Sequence, residues 1–288
     1  MYNPEKRQPT YNNAMDNNES TLLGRQIPYP DTYSPELLQP MERAPNRHEL
    51  GAAAEEFAGC DIWHAWELSW LNDRGRPVNA VGRFVFDCSS PFLVESKSFK
   101  LYLNSLAFTK FAGHQAVVEL LQKDLSQLTR SPVGVELIAP DDHSALARTR
   151  PDGLLLDRLD IAVDEYDQPR PDFLAADDEN TTTETLVSHL FRSNCPVTNQ
   201  PDWASMQIRY RGPAVDHAGL LRYLVSWRRH SGFHEHCAEQ IFCDIRQRCR
   251  PQELDILACF TRRGGLDITP WRSSRSSTPP AWVRSLRQ

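Results

Sequence analysis

Apolar and polar residues alternate most regularly over 203–211, in the second half of the chain. Every second side chain there is apolar and the side chains between them are polar or basic, a period of two that predicts a strand with one buried face. A strand is also predicted over 184–192, and the short loop between the two strands favours a hairpin. Beyond the hairpin, the spacing of apolar residues predicts two helices, a strand and a last extended piece, at 216–229, 233–249, 253–261 and 268–272.

The first half of the chain repeats this order of elements. Two strands, two helices and two further strands are predicted near 61–70, 78–86, 99–106, 118–128, 133–137 and 159–163. Identity between the halves is slight, so the repeat rests on order and spacing. One unit of this kind places two helices on one face of a four-stranded antiparallel sheet. The sequence therefore predicts an α+β fold built from two tandem modules.

The N-terminal segment has neither period. Residues 1–20 are polar and rich in Asn, which predicts disorder. Between Leu23 and Pro45, prolines are interspersed with apolar and aromatic residues, which predicts an extended arm on the protein surface. The predicted organisation is a disordered N-terminus and arm over 1–45, a first module over 46–175 and a second over 176–288.

Composition limits the partners of the chain. The 40% hydrophobic and 24% charged fractions are typical of a globular protein, and the net charge of -6 argues against nucleic acid or an anionic membrane as the main partner. No apolar run is long enough to span a bilayer, and the opening residues lack the apolar segment of a secretory signal. Seven cysteines without close paired spacing favour free thiols in a reducing compartment, which predicts a cytoplasmic location.

The loop of the second hairpin, S-N-C-P-V-T-N-Q-P-D-W-A over 193–204, holds Cys195 and Asp202 between prolines that restrict the backbone. A cysteine becomes a nucleophile when a nearby group takes its proton, and an aspartate can do so. The same residues also suit a structural role, since a lone cysteine is commonly a small buried hydrophobe and an aspartate commonly forms turns.

Three other short strings could carry chemistry. They are E-S-K-S-F-K-L-Y at 95–102, G-F-H-E at 232–235 and T-R-R-G-G at 261–265. Each has an ordinary structural interpretation: a helix start capped by Ser96 or Ser98, a helix N-terminus where a glutamate favours the dipole, and a basic turn whose glycines permit positive φ.

The loop at 193–204 and the string at 95–102 closely resemble the nucleophile loop and the signature of the NADPH-dependent nitrile reductases that convert 7-cyano-7-deazaguanine to its aminomethyl form in queuosine biosynthesis. The resemblance covers about 23–275. It implies tandem tunnelling-fold (T-fold) modules, a fold in which units close a barrel and ligand sites form where units or subunits meet. A two-unit chain then implies an oligomer, most simply a homodimer.

The resemblance also implies roles for individual residues. Cys195, Asp202 and His234 would be catalytic, with Cys195 losing its proton to Asp202 and forming a covalent thioimide. The deazapurine base would be bound by Val94, Glu95, Ser96, His234 and Glu235. NADPH would be bound by Ser96, Lys97, Arg263 and Gly264, with Arg262 and Arg272 as further phosphate partners.

Other functions remain open from the residues. A zinc-dependent GTP cyclohydrolase-like enzyme would need three convergent protein ligands. Cys243 and Cys249 cannot both be among them, because a helix turns by about 600° over six residues and the two side chains lie on different faces. No metal is therefore predicted. A Rossmann cofactor site is unsupported because no G-x-G-x-x-G string is present. A non-catalytic purine-binding module and a cysteine hydrolase are the remaining alternatives.

Overall fold

The computed structural model describes residues 30–51, 57–142, 145–147, 149, 151–275 and 284–288, so the disorder predicted for 1–20 lies outside it. The strands are β1 Pro40–Glu42, β2 Ala58–Leu71, β3 Pro77–Asp87, β4 Phe92–Val94, β5 Val133–Ile138, β6 Leu154–Leu155, β7 Ala176–Asn194, β8 Pro201–Val215, β9 Glu253–Phe260 and β10 Leu266–Ser273. The α-helices are α1 Ala44–Leu50, α2 Ser96–Ser105, α3 His114–Thr129, α4 His217–Ser226 and α5 His234–Cys249. Short 3₁₀ helices lie at Pro35–Leu37, Leu156–Arg158, Pro171–Phe173 and Trp227–Arg229.

One eight-stranded sheet contains strands from both of the predicted modules, in the order β5-β3-β2-β10-β9-β8-β7-β6. Every neighbouring pair is antiparallel except β6 and β7. The two modules join where β10 pairs with β2, for example through Ile268 and Trp63. The first strand of the first module is therefore hydrogen-bonded to the last strand of the second.

The helices cover one face of this sheet, because the apolar residues of each strand alternate onto that face. Side chains of α2 and α3, such as Phe99 and Leu121, pack with Trp63 of β2 in one core cluster. Side chains of α4 and α5, such as Leu224 and Ile241, form a second cluster with β7, β8 and β9. The predicted α+β class, with helices on one face of antiparallel strands, is confirmed.

The strand predicted over 159–163 is absent from the described structure, and the prediction was wrong. The chain instead forms the two-residue β6 and a 3₁₀ turn in which Asp157 accepts hydrogen bonds from Ser188 and His189 of β7. Ile161 and Val163 pack from a coil against the core of the second module. The first module therefore contributes three antiparallel strands to the sheet.

The arm is more structured than the sequence predicts. Pro40–Glu42 pairs with β4, and α1 begins at Ala44. Pro45 favours a helix start rather than preventing one, because the first turn of a helix has no use for its N–H group.

A cluster of buried charges joins the arm to both modules. Arg43 and Arg272 both bind Asp61, and Arg272, Arg47 and Arg43 all contact Glu239. Arg272 is 0% exposed. Since its guanidinium is sealed inside this cluster, the suggestion that Arg272 contacts a cofactor phosphate was wrong.

None of the helices in the described part of the chain has the length and apolar character needed to cross a membrane.

Candidate active site

A cavity of about 220 Å³ lies where the two modules meet. The first module contributes β4 and the start of α2, and the second contributes the β7–β8 loop, the start of α5 and the turn after β9. The cavity is lined by the ten residues predicted to be catalytic or to bind the base or NADPH, namely Val94, Glu95, Ser96, Lys97, Cys195, Asp202, His234, Glu235, Arg263 and Gly264. Arg262 and Arg272, the further phosphate partners, do not line it. These residues come from distant parts of the chain, and the fold brings them together.

The loop that carries Cys195 is tightly closed. The Cys195 N–H donates to the Gln200 carbonyl and the Asn199 N–H donates back to the Cys195 carbonyl, both at 2.9 Å. Asn199 adopts a left-handed φ of 54°, a conformation that asparagine tolerates better than most residues. The loop surface from Pro196 to Gln200 is exposed, whereas Cys195 is 8% exposed and faces the cavity.

Hydrogen-bond donors surround the Cys195 thiol. Burial raises its pKa, but hydrogen bonds from Thr198, from Arg263 and from the Val197 backbone outweigh that effect and leave the pKa below its ordinary value. Burial has the opposite outcome elsewhere, where it raises the pKa of Cys60, Cys237 and Cys259 to about 12. Cys195 therefore differs from these thiols in favouring the nucleophilic thiolate.

Asp202 is buried between two basic side chains. Its carboxylate lies 2.9 Å from Arg263 Nη1 and 3.3 Å from His234 Nε2, and the His234 ring stacks on Phe260 with centroids 3.9 Å apart. Arg263 pairs with the Asp202 carboxylate and also hydrogen-bonds the Cys195 thiol, so it links the two groups. Direct transfer of the Cys195 proton to Asp202 stays a prediction.

Glu95 is itself the cap of α2, a role that the sequence analysis gave to Ser96 or Ser98. Its carboxylate accepts hydrogen bonds from the Lys97 and Ser98 N–H groups at 2.9 and 2.6 Å. Each carboxylate oxygen can accept more than one hydrogen bond, so capping leaves acceptor capacity on the side that lines the cavity. The cap also fixes the orientation of the carboxylate.

Glu235 has an acceptor that nothing in the described structure satisfies. It is 4% exposed and its Oε1 has no hydrogen-bond partner among the described residues. Burial and the nearby Asp61 raise the pKa of Glu235, while His234 and Arg43 oppose the rise. A buried acceptor without a partner costs free energy, so a ligand that donates N–H groups here would be favoured.

The rim of the cavity is basic. Lys97, Lys100 and Arg263 reach it, and Gly264 has a φ of 60°. This φ lies in the left-handed region, which favours glycine, and the turn lies beside the Lys100 side chain. This arrangement fits an anionic, extended cofactor such as NADPH.

Thr198 and Lys100 are polar residues of the cavity for which the sequence predicted no role. Thr198 lies within the loop string, and a hydroxyl three residues after a cysteine in so short a loop could have suggested the contact. Lys100 of α2 lies at the cavity rim, with its ammonium group 3.4 Å from Glu67. No group of three His, Cys, Asp or Glu side chains in the described ranges is arranged to hold a metal ion.

Comparison with known proteins gives consistent matches. Residues 29–137 match the family model described as nitrile reductase, 7-cyano-7-deazaguanine-reductase N-term, and residues 201–279 match the one described as QueF-like protein. A curated NADPH-dependent 7-cyano-7-deazaguanine reductase from Bordetella pertussis is 50% identical over 267 residues, covering 92% of this chain and 97% of the relative. One of the same name from Burkholderia vietnamiensis is 52% identical over 274 residues, covering 94% and 100%.

Among solved structures, the apo form of an archaeosine synthase QueF-Like protein matches 35% of this chain and 96% of its own. Its identity is 16% and its TM-score is 0.29, too low to support an inference about the fold.

Proposed function

The chain belongs to the family of NADPH-dependent 7-cyano-7-deazaguanine reductases, and we propose that it reduces the nitrile of 7-cyano-7-deazaguanine to an aminomethyl group with two equivalents of NADPH. The observation that carries the proposal is one cavity holding both a thiol of lowered pKa, Cys195, and an unpartnered buried carboxylate oxygen on Glu235. The thiol is suited to attack on an electrophilic carbon, and the carboxylate oxygen is suited to accept a hydrogen bond from a polar heterocycle.

The base binds between the two modules. A guanine-like edge presents N–H donors, which Glu235 Oε1 and the remaining acceptor positions of Glu95 can receive. Val94 and Ser96 line the same wall, and His234 lies beside the nucleophile loop through its contact with Asp202. Recognition through buried acceptors discriminates strongly, because a base lacking the donors leaves the carboxylates unsatisfied.

The first step forms a carbon–sulfur bond. The Cys195 thiolate adds to the nitrile carbon, one π-bond electron pair moves to nitrogen, and that nitrogen takes a proton to give a thioimide. Asp202, which takes the proton that Cys195 loses, returns it to this nitrogen; both residues line the cavity. Thr198 and Arg263 stabilise the thiolate before the attack and again when it leaves.

Bound NADPH supplies a hydride to carbon in each of the two reductions. Ser96, Lys97, Arg263 and Gly264 would hold it, which agrees with the basic, open rim of the cavity. Departure of the Cys195 thiolate after the first reduction leaves an imine, and protonation at nitrogen completes the amine after the second. Phe233 and His234 line the cavity and would exclude water, which would otherwise hydrolyse the thioimide and the imine.

The reaction belongs to the biosynthesis of the modified tRNA base queuosine. A cytoplasmic location is supported by seven cysteines that are all free and buried, as expected in a reducing compartment. A homodimer is supported by the resemblance to T-fold enzymes. The single-chain cavity takes residues from both modules and does not require a partner subunit to supply any of the ten predicted residues.

The direct test is to mix the purified protein with the cyano base and NADPH. We expect oxidation of two NADPH for each base consumed and a product with the mass of the aminomethyl base. A cyclohydrolase would act without NADPH and lose activity on chelation. A binding module would take up the base with no oxidation. Either of these results would contradict the proposal.

A further inference from the structure

Trp203 lies at the back of the catalytic hairpin. It follows Asp202 directly on β8, and because successive side chains of a strand point to opposite faces, it projects away from the face that Asp202 and Ala204 share. Its partner across the hairpin is Arg192 of β7. One strand pair therefore presents Asp202 and Cys195 to the cavity and Arg192 and Trp203 to the other side.

Three arginines surround the Trp203 ring. The guanidinium carbons of Arg192, Arg228 and Arg287 lie 5.6, 5.2 and 6.0 Å from its centroid. They come from three separate parts of the chain, namely β7, the 3₁₀ helix after α4, and the C-terminal segment. Cation–π contact attracts each of them to the ring, but it does not remove the repulsion between three like charges.

These arginines lack acidic partners in the part of the chain that the structure describes. Arg192 donates to the Asn194 side chain, and Arg228 and Arg287 donate to the carbonyls of Leu190 and His189. Arg192 Nε is buried without a hydrogen-bond partner. Each guanidinium carries five N–H donors, so these contacts leave donor capacity for a ligand.

This cluster is continuous with the basic turn at the cavity. The Thr261 N–H donates to the Trp203 carbonyl at 2.8 Å, so the turn that carries Arg263 and Gly264 begins beside Trp203. Arg263 points to Asp202, whereas Arg262 turns away and stacks over Trp66 at 4.0 Å. Positive charge therefore extends from the cavity rim around the end of the sheet to Trp203.

We propose that Arg192, Arg228 and Arg287, held around Trp203, bind a phosphate group of the NADPH dinucleotide. The inference rests on the proposed function for the identity of the ligand. Guanidinium groups match phosphate oxygens in a bidentate manner, and contact with a rigid ring reduces the freedom that each side chain loses on binding. A phosphate would supply the negative charge that the cluster lacks.

The test compares two neighbouring arginines. Arg228→Gln removes one cationic group from the cluster, and Arg229→Gln is the matched control because Arg229 is exposed and pairs with Asp167 at 2.7 Å. A charge-assisted hydrogen bond of ordinary strength predicts a rise of about tenfold or more in KM for NADPH and in Kd for NADP⁺ in Arg228→Gln. The Kd for the base should stay at the wild-type value. Arg287→Gln, at an exposed position of the C-terminal segment, should give the same result and covers the case in which Arg228→Gln fails to fold.

An NADP⁺ Kd, measured by calorimetry, that stays at the wild-type value in both Arg228→Gln and Arg287→Gln would overturn the inference. If the sedimentation mass of these variants is also altered, the cluster is a contact between subunits. The calorimetry needs no cyano base, so it remains decisive if the wild-type protein does not reduce the nitrile, and that failure would count against the proposed function alone.

Discussion

Hydrogen-bond donors surround the thiol of Cys195. Thr198, Val197 and Arg263 all favour the thiolate over the thiol, against the effect of burial. Asp202 is held on Arg263 and His234 instead. In this geometry the loop stabilises a thiolate before the substrate arrives, and the aspartate is available to deliver a proton to the substrate nitrogen.

Replacement of Thr198 tests this division of roles. In Thr198→Val the side chain keeps its shape and loses the hydroxyl donor, so the thiolate is less stable and the pKa of Cys195 rises. One hydrogen bond to a charged group predicts that the midpoint of the alkylation profile moves about one pH unit higher. The measurement is the iodoacetamide alkylation rate of Cys195 against pH, followed by peptide mass. Thr183→Val, at an exposed site on β7, should match the wild type; a Thr198→Val profile that also matches would contradict the assignment.

Glu235 gives a second prediction at this scale. Its pKa is raised, chiefly by burial, and N–H donors of the base prefer the ionised carboxylate. Base binding should therefore be strongest above the raised pKa and weaken as the pH falls through it. Glu235→Gln should weaken binding about tenfold or more and remove this pH dependence.

The affinity is best measured by calorimetry in a Cys195→Ala background, which prevents adduct formation. Glu119→Gln is the control, because Glu119 is exposed on α3 and does not line the cavity. A Glu235→Gln variant that binds the base like this control would exclude Glu235 as a recognition residue.

At the scale of elements, apolar alternation predicted the hairpin and helical spacing predicted the helices, because each pattern records which side chains of a single element are buried. The strands β7 and β8 extend further than predicted, to 176–194 and 201–215, since their polar outer residues also pair. The strand expected at 159–163 failed because three alternating apolar residues also suit a coil lying on a core. Whether these residues form a strand or a coil depends on where the second module lies, and that position is set by contacts between residues far apart in the sequence.

The buried charge cluster is an element-scale feature that no local pattern indicated. It links α1, β2, α5 and β10 through pairs such as Arg47–Glu239 and Arg272–Asp61. Burial alone would raise the pKa of Glu239, but Arg272, Arg47 and Arg43 lower it to about 2. Its contribution to stability is therefore present above the unfolded-state pKa of about 4.3 and is lost as the pH falls towards 2.

Glu239→Gln should accordingly be strongly destabilising. It leaves buried arginines without one of their two carboxylates, which predicts a loss of about 3–5 kcal/mol in the free energy of unfolding. Urea unfolding at neutral pH measures it. The matched control is Glu253→Gln, which breaks more exposed pairs with Arg211 and Arg275 and should cost about 1 kcal/mol or less. Equal losses in the two variants would show that the cluster does not stabilise the junction of the elements.

For the whole molecule, the site depends on the junction between modules. Glu95 and Lys97 come from the first module and Cys195, Glu235 and Arg263 from the second, and the β2–β10 pairing brings them around one cavity. The strings that carry these residues could be picked out from the sequence because each is short and continuous. The burial of Arg272 could not, since it depends on folded geometry.

The formation of a bond between Cys195 and the nitrile carbon is the central claim, and intact-protein mass spectrometry tests it most directly. Incubated with the cyano base and no NADPH, the wild-type protein should gain the full mass of the base, located to the peptide containing Cys195. Cys195→Ala should gain none and oxidise no NADPH, while Cys88→Ala, which removes a buried thiol outside the cavity, should behave like the wild type. An adduct on Cys195→Ala, or NADPH oxidation by it at the wild-type rate, would contradict the account.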